Sequence, residues 1–540
     1  MGSWLCFQGE RCSHDCKFFG ASIMPAESFH GASQRIFVRS SDHELMWQQL
    51  LAKPAHNAAP LQVQLRTALV NAILDGRLPV GLRLPSGREL AQLAGVSRNT
   101  AVLVYDRLVA DGYLDARPRD GYFVCGAIER AQVARVSTQG LPEPPDWNER
   151  GRLRQGEMRW LDRPAGWRSF RYPFVFGQFD PKLFPLSDWR ECSRQALEVA
   201  AVESWGQDGE GSDSALLVDQ LIRRVLPRRG IAATPDQILL TLGTQHGLFL
   251  LAELFARPGT IVGVENPGYM DARNIFARHE ARVLPLPVDE NGVEMSAPLA
   301  QCDYVYCTPS HQCPTGVTMS TDRRVALLEH AARHDQVIFE DDYDPETQYI
   351  GQPLPALKAI DKGDRVIYLS SLSKLLSPGL RIGYIVAPAP VISRLRVLRR
   401  LMIRQAPGNN QLTAALFIQQ GHYDRLLRRT RETLSERAGV LTQALACQIP
   451  DGQFRLPHGG SSVWMRLPGR PDPAALRAAC IAQGVLFDPG APFFHDAMTE
   501  PYIRLGFSSI PLERIEPGIR ELGRLVAAHT RRAAKSALRQ

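Results

Sequence analysis

The chain has 540 residues, 44% of them apolar, which is too much for one ordinary domain and enough for large cores, so at least two domains are expected. A net charge of +7 with a pI near 8.9 permits contact with nucleic acid without demanding it. No apolar run reaches the roughly 18 residues of a membrane-spanning helix, the N-terminus lacks a continuous signal-peptide core, and ten scattered cysteines suit free thiols, so a cytoplasmic chain with no membrane partner is expected.

Residues 1–60 carry Cys6, Cys12, His14 and Cys16 ahead of a helical patch from Glu44 to Leu51. The spacing matches no known zinc finger and no fourth ligand is near, so the segment reads as an N-terminal extension without a metal, with Met24 or Met46 as an alternative start. From Leu61 the pattern tightens: Leu61, Leu65, Leu69 and Ile73 recur at helical spacing before a stop at Asp75-Gly76. Ser86, with Glu89 three residues on, makes a capping box for a short helix. Gly95 turns the chain, and Ser97 caps a second helix through Tyr105, Leu108 and Val109, which is a helix-turn-helix. This second helix opens with Arg98, Asn99 and Thr100, whose side chains project from its N-terminal end toward a major groove. Asp111-Gly112-Tyr113 ends it. The run to Phe123-Val124 predicts a two-stranded wing with Arg117 and Arg119 at its tip, placed for phosphate contacts. A small helical hairpin domain is the plainer alternative for residues 61–125. Residues 126–170 lack periodicity, hold Pro142, Pro144 and Pro145 and are arginine-rich from Arg150, which predicts a partly stiff linker with a solvated charged face.

Residues 171–540 carry a series of strand-end motifs. Leu239 to Thr241 reads as a strand, Gly243 as a turn and Thr244-Gln245 as the start of an apolar helix, whose free amides suit a phosphate. Val264 to Tyr269 is a strand ending in Pro267-Gly268-Tyr269. Val337 to Asp344 is a buried-type strand ending in acids. Histidines at ligand spacing are missing beside it, which disfavours metal. Arg365 to Leu369 is a strand that delivers Ser371, Ser373 and Lys374, with Arg381 seven residues further on. An amine there condenses with an aldehyde to a Schiff base, and the hydroxyls and guanidinium suit a phosphate monoester; aldehyde and phosphate together describe pyridoxal phosphate. Alone, each motif is weak, and a solvated lysine is the plain reading of Ser-x-Ser-Lys. Tyr502 to Ser508 is a last strand carrying Arg504, and the arginine-rich stretches 394–404 and 425–437 read as solvent-facing helices.

In this order the motifs resemble fold type I aminotransferases over residues 171–540. The stretch Arg83-Leu84-Pro85-Ser86-Gly87-Arg88-Glu89-Leu90, then Gly95-Val96-Ser97-Arg98-Asn99-Thr100 and Asp111-Gly112-Tyr113, resembles the GntR superfamily of winged helix-turn-helix regulators. The pairing resembles the MocR subfamily. The resemblance implies an α/β fold class with a winged helix-turn-helix domain and a large aminotransferase-like domain that binds pyridoxal 5'-phosphate. It implies Lys374 as the catalytic lysine, Asp341 at the ring nitrogen, Tyr343 at the phenolic oxygen and Tyr269 stacked on the ring. Gly243, Thr244, Gln245, Ser371, Ser373 and Arg381 would surround the phosphate, and Arg504 would grip a ligand carboxylate. Arg83, Ser86, Arg88, Ser97, Arg98, Asn99, Thr100, Arg117 and Arg119 would face double-stranded operator DNA. Two departures stand out: Cys313 replaces the asparagine that would bond the phenolic oxygen, and Arg119-Asp120-Gly121 replaces the usual wing glycines. The expected function is a transcription regulator that senses an amino acid, amine or vitamin B6 compound as a head-to-tail homodimer. The competing expectation is a working aminotransferase with an appended DNA-binding module.

Overall fold

The computed structural model describes residues 47, 50, 60–126, 145–150, 158–207, 212–469, 471–496 and 501–537, in two compact units, residues 1–145 and 146–540. Cys6, Cys12, His14, Cys16, Met24 and Met46 lie outside the described residues. The cysteines that are described, Cys125, Cys192, Cys302, Cys307, Cys313, Cys447 and Cys480, are free thiols. No described helix is long and apolar enough to cross a membrane.

In the first unit, α1 (Leu61–Leu74) buries Leu65, Leu69, Ala72 and Ile73 on one side, as the spacing predicts. Helix α2 (Gly87–Ala94) begins at the Ser86 capping box: Glu89 N–H donates to the Ser86 hydroxyl and Ser86 N–H to the Glu89 carboxylate. It ends at Gly95, whose φ of +64° is a left-handed turn open to glycine. Helix α3 (Arg98–Ala110) begins at Ser97, which accepts from Thr100 N–H, and buries Ala101, Val104, Tyr105 and Leu108. Strands β1 (Leu114–Arg117) and β2 (Gly121–Val124) pair antiparallel as the wing, and Arg83 bridges to Phe123 beside them. The Tyr105 hydroxyl donates to Pro85 O, locking α3 to the start of α2. One boundary differs from the sequence reading. Trp47 and Leu50, placed there in an extension, are buried in this core with Leu65, Leu69 and Leu90, so the domain begins before Leu61.

The second unit is built on an eight-stranded sheet of order β4-β11-β10-β9-β8-β5-β6-β7. Its strands are β4 (Ile238–Thr241), β5 (Ile261–Asn266), β6 (Arg282–Asp289), β7 (Gly292–Val293), β8 (Tyr304–Cys307), β9 (Val337–Asp342), β10 (Val366–Ser371) and β11 (Gly383–Val386). Neighbours from β10 through β6 run parallel, while β11 is antiparallel to both its neighbours and β7 to β6. Helices cover both faces, so β9 and β10 read as almost unbroken buried runs rather than as an alternation. Helix α4 (Thr244–Phe255) packs Leu248 and Leu251 against Leu239, Leu369 and Ile385. A five-stranded sheet of order β12-β13-β15-β14-β3 follows, made of β3 (Tyr172–Phe174), β12 (Gln453–Phe454), β13 (Ser462–Arg466), β14 (Val485–Pro489) and β15 (Tyr502–Gly506). It shares a core with α5 (His422–Gln448) and α6 (Leu512–Ala537), with β3 as an edge strand.

Two further expectations are corrected here. Residues 158–170, read as linker, pack on the second unit: Asn274 donates to Arg159 O, Arg159 to Phe494 O, and Arg163 to Asp488. The arginine-rich helices are not wholly solvent-facing, because Arg399 is buried against Asp213 at 2.5 Å and Arg437 against Asp180 at 2.5 Å. Net positive stretches in sequence thus conceal cations that long-range carboxylates neutralise.

Candidate functional site

The carboxyl ends of β4, β5, β8, β9 and β10 converge, which is where an open α/β sheet offers a crevice. Strand β4 leads through Leu242 to Gly243, whose φ of +84° lets the chain turn into α4. A side chain there would also meet the Arg381 guanidinium, since a Cβ would stand 3.1 Å from its Nη2. Thr244 and Gln245 open α4 with unpaired amides of the first turn. Arg381 is exposed and donates to Leu242 O at 2.6 Å, which holds its guanidinium beside this turn. His246 closes the turn from inside by accepting from Leu242 N–H; burial, then Arg399 and Arg381, holds its imidazole down to about 4, so it stays neutral.

Past β10, the Ser371 and Ser373 hydroxyls both donate to Ile382 O, at 3.0 and 3.2 Å. The Ser371 oxygen also accepts from Ser373 N–H, and that of Ser373 from Ile382 N–H. Both hydroxyls therefore staple the loop that carries Lys374. Lys374 is half-buried, with its amine 5.0 Å from the Phe176 ring centroid and 6.0 Å from that of Tyr343. Burial lowers its pKa; Asp344 opposes this, and Arg504 and Arg163 add to it. An amine biased toward its neutral form is one that can act as a nucleophile. Gly177 presses on it, for a Cβ there would stand 3.0 Å from Nζ.

At the end of β9 two adjacent carboxylates have opposite surroundings. Asp341 accepts from the Tyr306 hydroxyl at 2.8 Å through Oδ2, while its Oδ1 is buried and takes no donor. Burial pushes its carboxyl up to about 7 against that hydrogen bond. A buried carboxylate oxygen in this position calls for a cationic N–H. Asp342 is already supplied: Arg229 reaches it at 2.8 Å and the Tyr368 hydroxyl at 2.9 Å. Burial would raise its pKa, yet Arg229 and these hydrogen bonds bring it below the usual value. Asp344 pairs with His311 at 3.0 Å, and although burial opposes the charge on this imidazole, Asp344 raises its pKa.

The Tyr343 hydroxyl donates to His311 O at 2.8 Å. The Tyr269 hydroxyl donates to Asp271 at 3.1 Å and lies 3.4 Å from Gln245, so its ring bridges two of the converging loops. Glu265 fastens the 308–315 loop by accepting from Thr308 and Gln312, and burial carries its carboxyl up to about 7. In that loop Cys313 is buried, its Sγ 3.8 Å from Arg504 Nη1, and burial pushes the thiol up to about 11. Arg504 lies between the rings of Phe176 and Phe493, at 4.0 and 4.5 Å, and pairs with Asp488 at 2.9 Å. A cavity of about 320 Å³ joins Lys374, Tyr269, Cys313 and Arg504 with Trp160 and Arg163. Sequence reasoning missed Arg163, Phe176, Gly177, Tyr306 and Asp488. Of these only Tyr306 had a local signal, as the second of two tyrosines two apart on one strand.

In the other unit, Arg83, Ser86, Arg88, Ser97, Arg98 and Asn99 are exposed and Thr100 half-buried. Ser86, Ser97 and Thr100 spend their hydroxyls on helix starts, with Ser97 and Thr100 2.9 Å apart. Arg98 and Asn99 carry no such task. Arg119 occupies the wing tip with a φ of +64°, and Arg117 lies over the Phe123 ring at 4.0 Å.

Residues 181–522 match the family "Aminotransferase class I and II", and residues 61–124 match "Bacterial regulatory proteins, gntR family". The chain is 41% identical over 472 residues to the HTH-type transcriptional regulator TauR of Rhodobacter capsulatus, spanning 86% of this chain and 96% of that protein. It is 32% identical over 469 residues to the probable rhizopine catabolism regulatory protein MocR of Rhizobium meliloti, spanning 86% and 93%. The crystal structure of LysN, the α-aminoadipate aminotransferase of Thermus thermophilus complexed with N-(5'-phosphopyridoxyl)-L-leucine, is similar with a TM-score of 0.61 and 30% identity, over 66% of this chain and 92% of that one. Two domain matches in one chain, and full-length likeness to regulators built the same way, mean that it belongs to the MocR-type GntR transcription regulators, DNA-binding proteins whose large domain is a pyridoxal phosphate-dependent aminotransferase fold.

Proposed function

We propose that the large domain binds an amino compound at Lys374 and that this binding alters the affinity of the helix-turn-helix domain for its operator. The observation that carries the proposal is the single cavity shared by the half-buried Lys374 amine and the buried Arg504 guanidinium, beside an Asp341 whose Oδ1 lacks a donor. When bound, pyridoxal phosphate supplies an aldehyde that bonds amines reversibly and a ring that withdraws electrons from them. The residues fit that group: Asp341, whose Oδ1 takes no donor, would hold the ring nitrogen, Tyr269 would cover the ring and Tyr343 would serve the phenolic oxygen. The Thr244 and Gln245 amides, the Gly243 turn and Arg381 hold the phosphate, while Ser371 and Ser373 shape the loop and turn a hydroxyl to it only by releasing Ile382 O. Arg504 takes the acid of the effector. In the DNA-binding domain, Arg98 and Asn99 read bases from the helix start. Arg83, Arg88, Arg117 and Arg119 contact phosphates, and Ser86, Ser97 and Thr100 act mainly by fixing the helices.

The protein works in the cytoplasm as a head-to-tail homodimer. Its helix 389–403 leaves Val397 and Leu401 59% and 80% exposed, an apolar strip that a second copy would cover. Coupling between two sites is typically about 1–3 kcal/mol, enough for a several-fold to hundredfold change in operator occupancy. The test is to titrate candidate amines while following cofactor absorbance and operator binding in one sample, and then to assay keto-acid production. Coupled changes with little turnover are expected. Fast multiple turnover with no effect on DNA would overturn the proposal in favour of an aminotransferase carrying a DNA-binding module.

A further inference from the structure

Arg504 does not stand alone in the cavity. Arg163, from the segment leading into the domain, donates Nε to Asp488 Oδ1 at 3.2 Å and Nη2 to Asp488 Oδ2 at 3.1 Å. Arg504 donates Nε and Nη2 to that same Oδ2 at 3.2 and 2.9 Å. Two guanidiniums therefore share one carboxylate that is 2% exposed, and the group keeps one uncompensated positive charge. The two Nη2 atoms are no further apart than twice the longer of their distances to Oδ2, which is within the span of one anion. Arg163 Nη1 makes no hydrogen bond among the described residues, and Arg504 Nη1 donates to Cys313 Sγ at 3.8 Å, a weak acceptor that an anion can displace. Both side chains line the cavity that holds Lys374. The Phe176 ring lies 4.0 Å from the Arg504 Cζ and 5.0 Å from the Lys374 amine, so a chain of a few carbons bridges amine and guanidinium.

We infer that Arg163 is a second guanidinium that reads the effector, the acid group being held jointly by Arg163 and Arg504 while the amine reaches Lys374. The inference rests on the effector site proposed above and narrows its ligand to short amino acids with a free acid group, which bind in preference to plain amines. Charge complementarity favours that class: an acid neutralises the excess cation, whereas an amine lacking it leaves two guanidiniums on one carboxylate. Arg163 also gives the ligand a handle on the linker. Its hold on Asp488 and on Phe176 O ties down the segment 158–163 together with the Arg159 contacts to Asn274 and Phe494. An acid that draws on Arg163 changes the restraint on that segment directly.

The experiment uses the full, cofactor-loaded chain with three acids, glycine, 3-aminopropanoate and 4-aminobutanoate. Each is set against the matching amine without the acid: methylamine, ethylamine and propylamine. Apparent affinity is read from the change in cofactor absorbance, and hydrogen exchange is followed over residues 158–169. The unsubstituted chain should favour at least one acid over its amine by tenfold or more. Arg163→Gln should cut that preference about tenfold, chiefly by weakening the acid, and Arg163→Lys should restore part of it. Exchange at 158–169 should respond to the acid and not to the amine. An effect on acid and amine alike would mark Arg163 as merely structural and overturn the inference, as would a preference that survives in Arg163→Gln and Arg163→Ala. Equal binding of acids and amines by the unsubstituted chain would overturn it while leaving amine sensing intact. No response to any of the six would remove the proposed effector site and the inference together.

Discussion

In the DNA-binding unit the groups expected to meet a partner, Arg98, Asn99 and Arg119, stand exposed at the start of a helix and the tip of a wing. In the large unit Asp341, Cys313 and Arg504 are each at most 5% exposed. The first arrangement uses element ends to present side chains, and the partner supplies the desolvation. The second builds desolvation in beforehand, so that charges are shifted before any ligand arrives. Substitutions should therefore act through contacts in one unit and through environment in the other.

The sharpest contrast is expected at Lys374. Lys374→Ala should abolish the borohydride-reducible cofactor absorbance altogether, while operator binding without effector persists; retained reducible absorbance would show that the covalent link lies elsewhere.

The next effect concerns pH. Asp341 has a folded pKa of about 7, raised above its unfolded value of roughly 3.9. Across that window the folded state holds the proton more tightly, so its contribution is fully present below about pH 4 and is lost as pH rises toward 7. The gap between those two values corresponds to an upper bound on the order of 4 kcal/mol. Glu265 and Glu346, also carried up to about 7 by burial, act in the same direction. Cofactor-free protein should thus unfold more easily at pH 7 than at pH 5, with a shallower dependence in Asp341→Asn. An identical profile in the variant would deny Asp341 its unsupplied carboxylate.

On the other side of the comparison, Arg98→Ala should cost about 1–3 kcal/mol of specific binding and relax one base position. Arg119→Ala should weaken all sequences alike and lower the salt slope by about one. Anisotropy titrations on specific and scrambled duplexes at several salt concentrations separate the two. Neither should disturb the cofactor spectrum, and a bleached cofactor in either would undo the separation of the units. Smallest of all, Ser86→Ala removes a helix cap and should lower the stability of the DNA-binding domain by about 1 kcal/mol, seen as an earlier unfolding of that domain alone.

These expectations show what local sequence can carry. Ser86, Gly95 and Ser97 act within four residues of themselves, so the helix-turn-helix could be read directly. Gly243 and Lys374 could be placed because apolar strands end just before them, and Asp341 because it is the last but one residue of such a strand; the structure puts those strand ends together. Arg163 meets Asp488 across 325 residues, and nothing near Arg163 distinguishes it from the solvated arginines around it. Trp47 is separated from its core partners by Pro54, Asn57 and Pro60, breakers that in sequence read as a boundary, while its burial depends on Leu65, Leu69 and Leu90 further along the chain. Arg399 and Arg437 misled for the converse reason: a charged face on paper became a buried ion pair once Asp213 and Asp180 arrived.

Strand β3 has a consequence for solubility. It forms one border of the five-stranded sheet, and such borders invite strands from other molecules. Tyr172 N–H points inward, to Gly484 O, so by alternation the next residue directs its amide outward. That residue is Pro173, which has no N–H to give. The border is three residues long and blunted at its middle, so regulators crowded at neighbouring operators lack a template there for edge-to-edge aggregation.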